Sequence, residues 1–126
     1  MRRFWIGIVL LSCLLALGIG LCIGIPALHD RLAKQLDDAC AAAQLGDWET
    51  ATALADSARA EWERSRHFVA SFVDHAPLEQ MESLFSELEI FRNRRLAVDY
   101  AAICTNLSHL SKAIGESHKL TWWSFL

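Results

Sequence analysis

From Phe4 to Leu28 the chain runs for 25 residues without one charged side chain. About 20 apolar residues, at 1.5 Å of helix rise each, are enough to cross the hydrocarbon core of a bilayer. Trp5, Ile8, Leu10, Leu11, Leu14, Leu15, Leu21 and Ile25 typify the run, which therefore fits a transmembrane helix. Two cleaved leaders compete with an anchor. A secretory signal could be cut after Ala16-Leu17-Gly18, and a lipoprotein signal would end at Leu10-Leu11-Ser12-Cys13. Signal apolar regions are shorter, roughly 7–15 residues, and polar sequence normally follows the cut. Here the sequence stays apolar well past both sites, so the uncleaved anchor is the reading adopted.

Arg2 and Arg3 precede the span directly, while Arg31 and Lys34 follow it. Basic flanks stay in the cytoplasm, and the short basic N-terminus has the form of a signal anchor. The expected topology has residues 1–28 as cytoplasmic stub and transmembrane anchor at the cell membrane, with residues 29–126 outside the cytoplasm. Residues 29–126 hold ten Lys and Arg against all fifteen Asp and Glu, a net charge of −5. Phosphate backbones and anionic lipid headgroups attract the opposite balance. This excludes nucleic acid as the expected partner and leaves the lipid bilayer, around the span, and other proteins.

The fold class expected is all-α: the N-terminal transmembrane helix continues into a small antiparallel bundle of about four helices. Past the span only Gly46, Pro77 and Gly115 remain as helix breakers, and each is expected where a helix ends. Leu28, Leu32, Leu36, Cys40 and Ala43 line one face of the first helix. Gly46 suits its C-terminal stop, and Asp47 the N-cap of the next. The second helix carries Trp48, Ala51, Ala55, Ala58, Trp62, Val69 and Phe72, with His75 near its end, close to the negative pole of the dipole. Pro77 opens the third, whose apolar face is Leu78, Met81, Phe85, Leu88 and Phe91. Leu96, Tyr100, Ile103, Leu107, Leu110 and Ile114 give the fourth the clearest helical spacing in the chain. Short connections imply antiparallel neighbours. The tail at Trp122-Trp123 then ends either at the membrane interface or against the base of the bundle.

Several residue groups bear on function. Ser12, Ala16, Gly20 and Gly24 form a small-residue stripe in the span, containing a GxxxG, that would let two spans self-associate. Trp48, Trp62 and His75 are the expected interaction surface or pocket. Cys40 and Cys104 fall at similar heights on antiparallel helices, so a disulfide is a chemical option outside the cytoplasm, although both positions also read as core. Cys13 and Cys22 read as small filler within the membrane. His67, His75, His109 and His118 raise the question of metal, but no Glu-x-x-His pair is present, and Pro77 is read as separating His75 from Glu79 and Glu82. Arg92, Arg94 and Arg95 read as a solvated helix end. With no nucleophile–base pairing and no Gly-rich loop, neither an enzyme nor a cofactor is expected.

Trp48, Trp62, Asp74-His75, Glu79, Glu82, Leu88, Asp99, Leu107, Leu110 and Glu116 carry a family pattern. In these the chain resembles the bacterial domain-of-unknown-function family 4363, short proteins mainly of spore-forming Gram-positive bacteria. The resemblance spans roughly Leu10 to Leu120, and the sequence departs from the pattern at Thr121-Trp122-Trp123. It implies one N-terminal span followed by a helical segment, and it assigns no activity and no site residues. The functional expectation is a protein–protein interaction or accessory module at the cell envelope, working with a protein partner or as a homo-oligomer. The alternative is an extracytoplasmic ligand-binding or sensory domain that uses the tryptophan-bearing second helix.

Overall fold

The computed structural model describes residues 1–71 and 74–124, with the backbone alone for 118–123. Four helices make up the fold: α1 (Arg2–Gln44), α2 (Trp48–Val69), α3 (His75–Asn93) and α4 (Ala97–Ser124). The all-α expectation holds. The apolar run and the first bundle helix are one continuous rod of 43 residues, about 65 Å long at 1.5 Å per residue.

The stop after α1 is built as the sequence implies. Gly46 adopts φ +79°, the left-handed conformation that a residue without Cβ enters at little cost. Its N–H donates to the Ala43 carbonyl at 3.0 Å, and that of Asp47 to the Ala42 carbonyl at 2.9 Å. Two carbonyls at the helix end are thereby satisfied. The Asp47 carboxylate then accepts from the Thr50 N–H at 3.2 Å and caps α2.

Four expectations about helix ends are corrected. α2 stops at Val69, short of Phe72, which lies outside the described residues. His75 is the first residue of α3, at the positive pole and not the negative one. Pro77 sits in the first turn, where N–H groups have no intrahelical partner, so the helix begins two residues before it and is not broken there. Gly115 does not end α4, which runs on to Ser124. A glycine inside a helix costs about 1 kcal/mol against alanine. Here it admits a close crossing: a Cβ at Gly115 would stand 3.3 Å from the His29 Cβ and 3.6 Å from the Pro26 Cα.

α1 packs chiefly on α4 and also on α2, while α3 packs on α4; α2 and α3 barely meet. Leu32, Leu36 and Ala39 of α1, Trp62 of α2, Met81 of α3, and Tyr100 and Leu107 of α4 are fully or almost fully buried in one core. Ala51, Ala55 and Ala58 keep the α2 face small where it lies against its neighbours. Tyr100 crosses to α2, its hydroxyl donating to the Ala51 carbonyl at 3.2 Å.

Below the bundle the apolar run is bare. Phe4, Leu14 and Ile23 are each about two-thirds exposed, and burial in α1 begins at Ile25 and Pro26. Among the described residues one helix, α1, is long and apolar enough to cross a membrane. The side chains of Trp122 and Trp123, expected at the interface or the bundle base, lie outside the described residues.

Candidate functional site

The seam between α2 and α3 differs from the other helix contacts. Across it lie three ion pairs: Arg66 with Glu82, Arg59 with Glu89 at 3.1 Å, and Arg92 with Asp56 at 3.2 Å. Arg59 also meets Glu63 on its own helix at 3.3 Å, and Arg92 meets Glu89 at 3.8 Å. Asp56, Arg59 and Arg66 recur at helical spacing on α2, as Glu82, Glu89 and Arg92 do on α3. Long charged side chains meeting from both helices hold the backbones apart, and the gap behind them stays open.

Two cavities follow. The larger, about 480 Å³, lies toward the end of the bundle nearest the apolar run, between the last turns of α2 and the first turns of α3. Trp62, Ala70 and Leu78 supply apolar wall, and Arg66, His67, His75, Glu79 and Glu82 supply polar wall. Its size is within the range of small-molecule pockets. The smaller, about 240 Å³, lies further along the seam over Phe85, Leu88 and Tyr100. Trp62 is 1% exposed, and its indole N–H has no hydrogen-bond partner among the described residues. An unmade buried hydrogen bond costs about 1–3 kcal/mol, so this donor is a cost carried inside the core.

Beneath Trp62 lies a polar contact inside the core. His29 of α1 is fully buried, with its ring 6.2 Å from that of Trp62 and tilted by 58°. The Ser111 hydroxyl donates to the His29 carbonyl at 2.8 Å, and its oxygen lies 3.1 Å from His29 Nδ1. A hydroxyl has one proton, and here the carbonyl takes it. The remaining contact therefore requires His29 Nδ1–H to donate to Ser111 Oγ. Two helices 82 residues apart in sequence are joined by this exchange.

The sequence-derived candidates separate in space. Trp62 and His75 share the larger cavity. Trp48 stands edge-on to Tyr100, ring centres 5.2 Å apart, and borders a different depression near Arg92 and Arg95. The two tryptophans are fourteen positions apart along α2, roughly 21 Å of helix. His75, Glu79 and Glu82, read as separated by Pro77, line one cavity wall together on α3. Among the described residues no group of three His, Cys, Asp or Glu could hold a metal ion. Arg92, read as part of a solvated helix end, is tied to Asp56 and Glu89.

Cys40 and Cys104 are free thiols on facing helices, with the Cys40 sulfur 3.9 Å from Thr105 Oγ1. Burial, and then the Cys40 sulfur, push the Cys104 thiol up to about 12. Burial, and then Cys104, push the Tyr100 phenol above its ordinary range. In the small-residue stripe of the apolar run, a Cβ at Gly20 or Gly24 would meet nothing within 4 Å. Gly18, Leu21, Cys22 and Ile25 are the covered or partly covered positions. At about 100° per residue they face the opposite way from Ser12, Ala16, Gly20 and Gly24.

Sequence reasoning missed His29, Ser111 and the charge ladder of the α2–α3 seam. The ladder had a signal, complementary charges at helical spacing on adjacent helices. His29 had one too, since it continues the spacing of Leu32, Leu36 and Ala39. A search for apolar residues passes over a histidine.

No family model, curated protein or solved structure matches this chain.

Proposed function

We propose that this is a single-pass membrane protein with a cytoplasmic N-terminus, whose helical bundle stands at the outer face of the membrane as a non-enzymatic accessory or scaffold module. The observation that supports this reading is the continuity of α1. Its first half is apolar and largely exposed, and from Ile25 onward its inner face is buried in the bundle core. A contiguous exposed apolar surface of this length is rare on a soluble monomer. A bundle grown on the same helix as its anchor cannot swivel freely, so a protein docked on it is held at a fixed height and orientation over the bilayer. Arg2 and Arg3 set the direction. The resemblance to the domain-of-unknown-function family 4363 points the same way.

The partner is a second protein or a second copy. The stripe Ser12, Ala16, Gly20 and Gly24 faces away from the bundle's own contact and is free to meet another span. Crosslinking in the native membrane, followed by mass spectrometry, tests both. A specific heterologous partner supports the accessory reading. Self-capture that disappears in Gly20→Ile/Gly24→Ile assigns the stripe as a homodimer contact, and no crosslink of either kind sinks the proposal. Orientation has its own test. An impermeant thiol reagent applied to intact cells after mild unfolding should reach Cys40, and protection beside a reactive external control would reverse the topology.

The cavity of about 480 Å³ favours a second reading, a ligand-binding or sensory bundle. Its wall carries the Trp62 ring and charges of both signs, which suits a small zwitterionic molecule. Tryptophan fluorescence titrated with envelope metabolites reads it directly. A response that vanishes in Trp62→Phe supports the cavity, and a flat response across the set removes it.

A further inference from the structure

The contacts between α1 and α4 have a register that continues beyond the bundle core. Ser111 meets His29, and Gly115 meets Pro26, so α4 descends as α1 is followed back toward its N-terminus. α4 does not stop at Gly115; nine more residues reach Ser124. At 1.5 Å each these add about 14 Å, which brings the helix end alongside the Leu17–Gly18 region of α1. The covering of α1 agrees, for Gly18, Leu21 and Cys22 are partly screened on one face while Leu17, Ile19 and Ile23 remain bare.

This region lies inside the apolar run. Counting about 20 residues from Phe4 puts the outer edge of the hydrocarbon near Ile23. The end of α4 therefore lies about five residues, or roughly 8 Å, below that edge. The chemistry of the sequence there matches the position. Lys119 is the last charged residue, and the seven that follow, Leu120 to Leu126, include two tryptophans and a phenylalanine but no charge. Tryptophan concentrates at the boundary between headgroups and acyl chains. With residues 29–126 carrying a net charge of −5, attraction to anionic headgroups does not explain such a contact; aromatic partitioning into the interface does.

We infer that the C-terminal turns of α4 are a second membrane contact, inserted into the outer interface beside the span, so that the bundle is held to the bilayer at two points. The inference rests on the single-pass reading of α1. Two contacts, one on each of the most closely packed helices, would set the tilt and depth of the bundle, where the span alone sets only its attachment.

The test uses the full chain in phosphatidylcholine vesicles whose acyl chains are brominated close to the headgroup, which quenches tryptophan at the interface. Trp5 reports on the span, and Trp122 and Trp123 on the end of α4. The expected result is that Trp5→Phe and Trp122→Phe/Trp123→Phe each remove a distinct part of the quenchable emission. If only Trp5→Phe does so, the span is inserted but the end of α4 is not, and the inference is overturned. If neither does, the single-pass reading falls and takes the inference with it. Helicity by circular dichroism accompanies each variant, and the single Trp122→Phe and Trp123→Phe replacements keep the comparison available should the double one unfold.

Discussion

Arg95 closes α3 with φ at +51°, doing with a full side chain what Gly46 does at the end of α1. Its N–H donates to the Arg92 carbonyl at 3.0 Å, and that of Leu96 to the Phe91 carbonyl at 3.1 Å, the same pairing that ends α1. A Cβ in the left-handed region is disfavoured by about 1 kcal/mol. Arg95→Gly should therefore stabilise the bundle by about 0.5–1 kcal/mol, read as a higher Tm in detergent; a lower Tm would mean that Arg95 makes a contact worth more than its backbone strain. At Cys104 a thiol moved from an ordinary 9.0 to about 12 holds about a thousandfold less thiolate at pH 8. Timed alkylation of the folded protein should mark the half-buried Cys40 long before Cys104, and equal rates would show that the α1–α4 interface opens freely. The same burial makes a Cys40–Cys104 bridge slow to form once the bundle has folded, so intact mass under non-reducing conditions should give both thiols free in protein refolded under reductant.

The first helix junction and the α1–α4 crossing make different demands. At the junction, the hydrogen bonds from the Thr50 side chain and backbone lower the Asp47 carboxyl below its ordinary 3.8. A lowered folded pKa means that the folded state binds the proton less readily than the unfolded chain does. The stabilisation is thus complete above the unfolded value and is lost as pH falls through the folded one. Asp47→Asn keeps a good cap without a titrating group, so its melting profile should be flatter than wild type on the acid side of pH 4. Identical profiles would show that Asp47 contributes nothing to acid sensitivity. At the crossing, Gly115→Ala adds helix propensity but meets the His29 Cβ at 3.3 Å, so the two effects oppose each other within about 1 kcal/mol. Gly115→Leu has no such compensation and should cost about 1–3 kcal/mol or more by pushing α4 off α1. A neutral Gly115→Leu would contradict the tight crossing.

For the molecule as a whole, the uneven packing predicts where it opens. α1 and α4 share the longest interface, whereas α2 and α3 are joined across their seam mainly by ion pairs on side chains about 28–62% exposed. Such pairs contribute roughly 0–1 kcal/mol apiece and weaken with salt, whose screening length is about 3 Å at 1 M. Hydrogen exchange should therefore accelerate in α2 and α3 between low and high salt while the α1–α4 interface stays protected. Uniform acceleration would mean that the seam is not a separate unit. The cavity of about 480 Å³ lies in this seam, and so in the part of the bundle most easily loosened.

Local chemistry in the sequence sufficed for the helices themselves, for the long apolar N-terminal helix, and for the turn at Gly46 and Asp47. Each of these depends on residues within about four positions of one another, or on a simple run of apolar side chains. Most of the core was readable in the same way, because burial follows the helical repeat through Leu32, Leu36, Trp62, Met81, Phe85, Tyr100 and Leu107. Tertiary structure alone decided the rest. Gly115 has the local character of a breaker yet lies inside a helix, where its missing Cβ admits α1; His29 is buried where Ser111, 82 residues away, offers it a partner. The cavity shared by Trp62 and His75 exists because α2 and α3 fail to close on each other, a spacing imposed by packing of whole helices that no local pattern of residues contains.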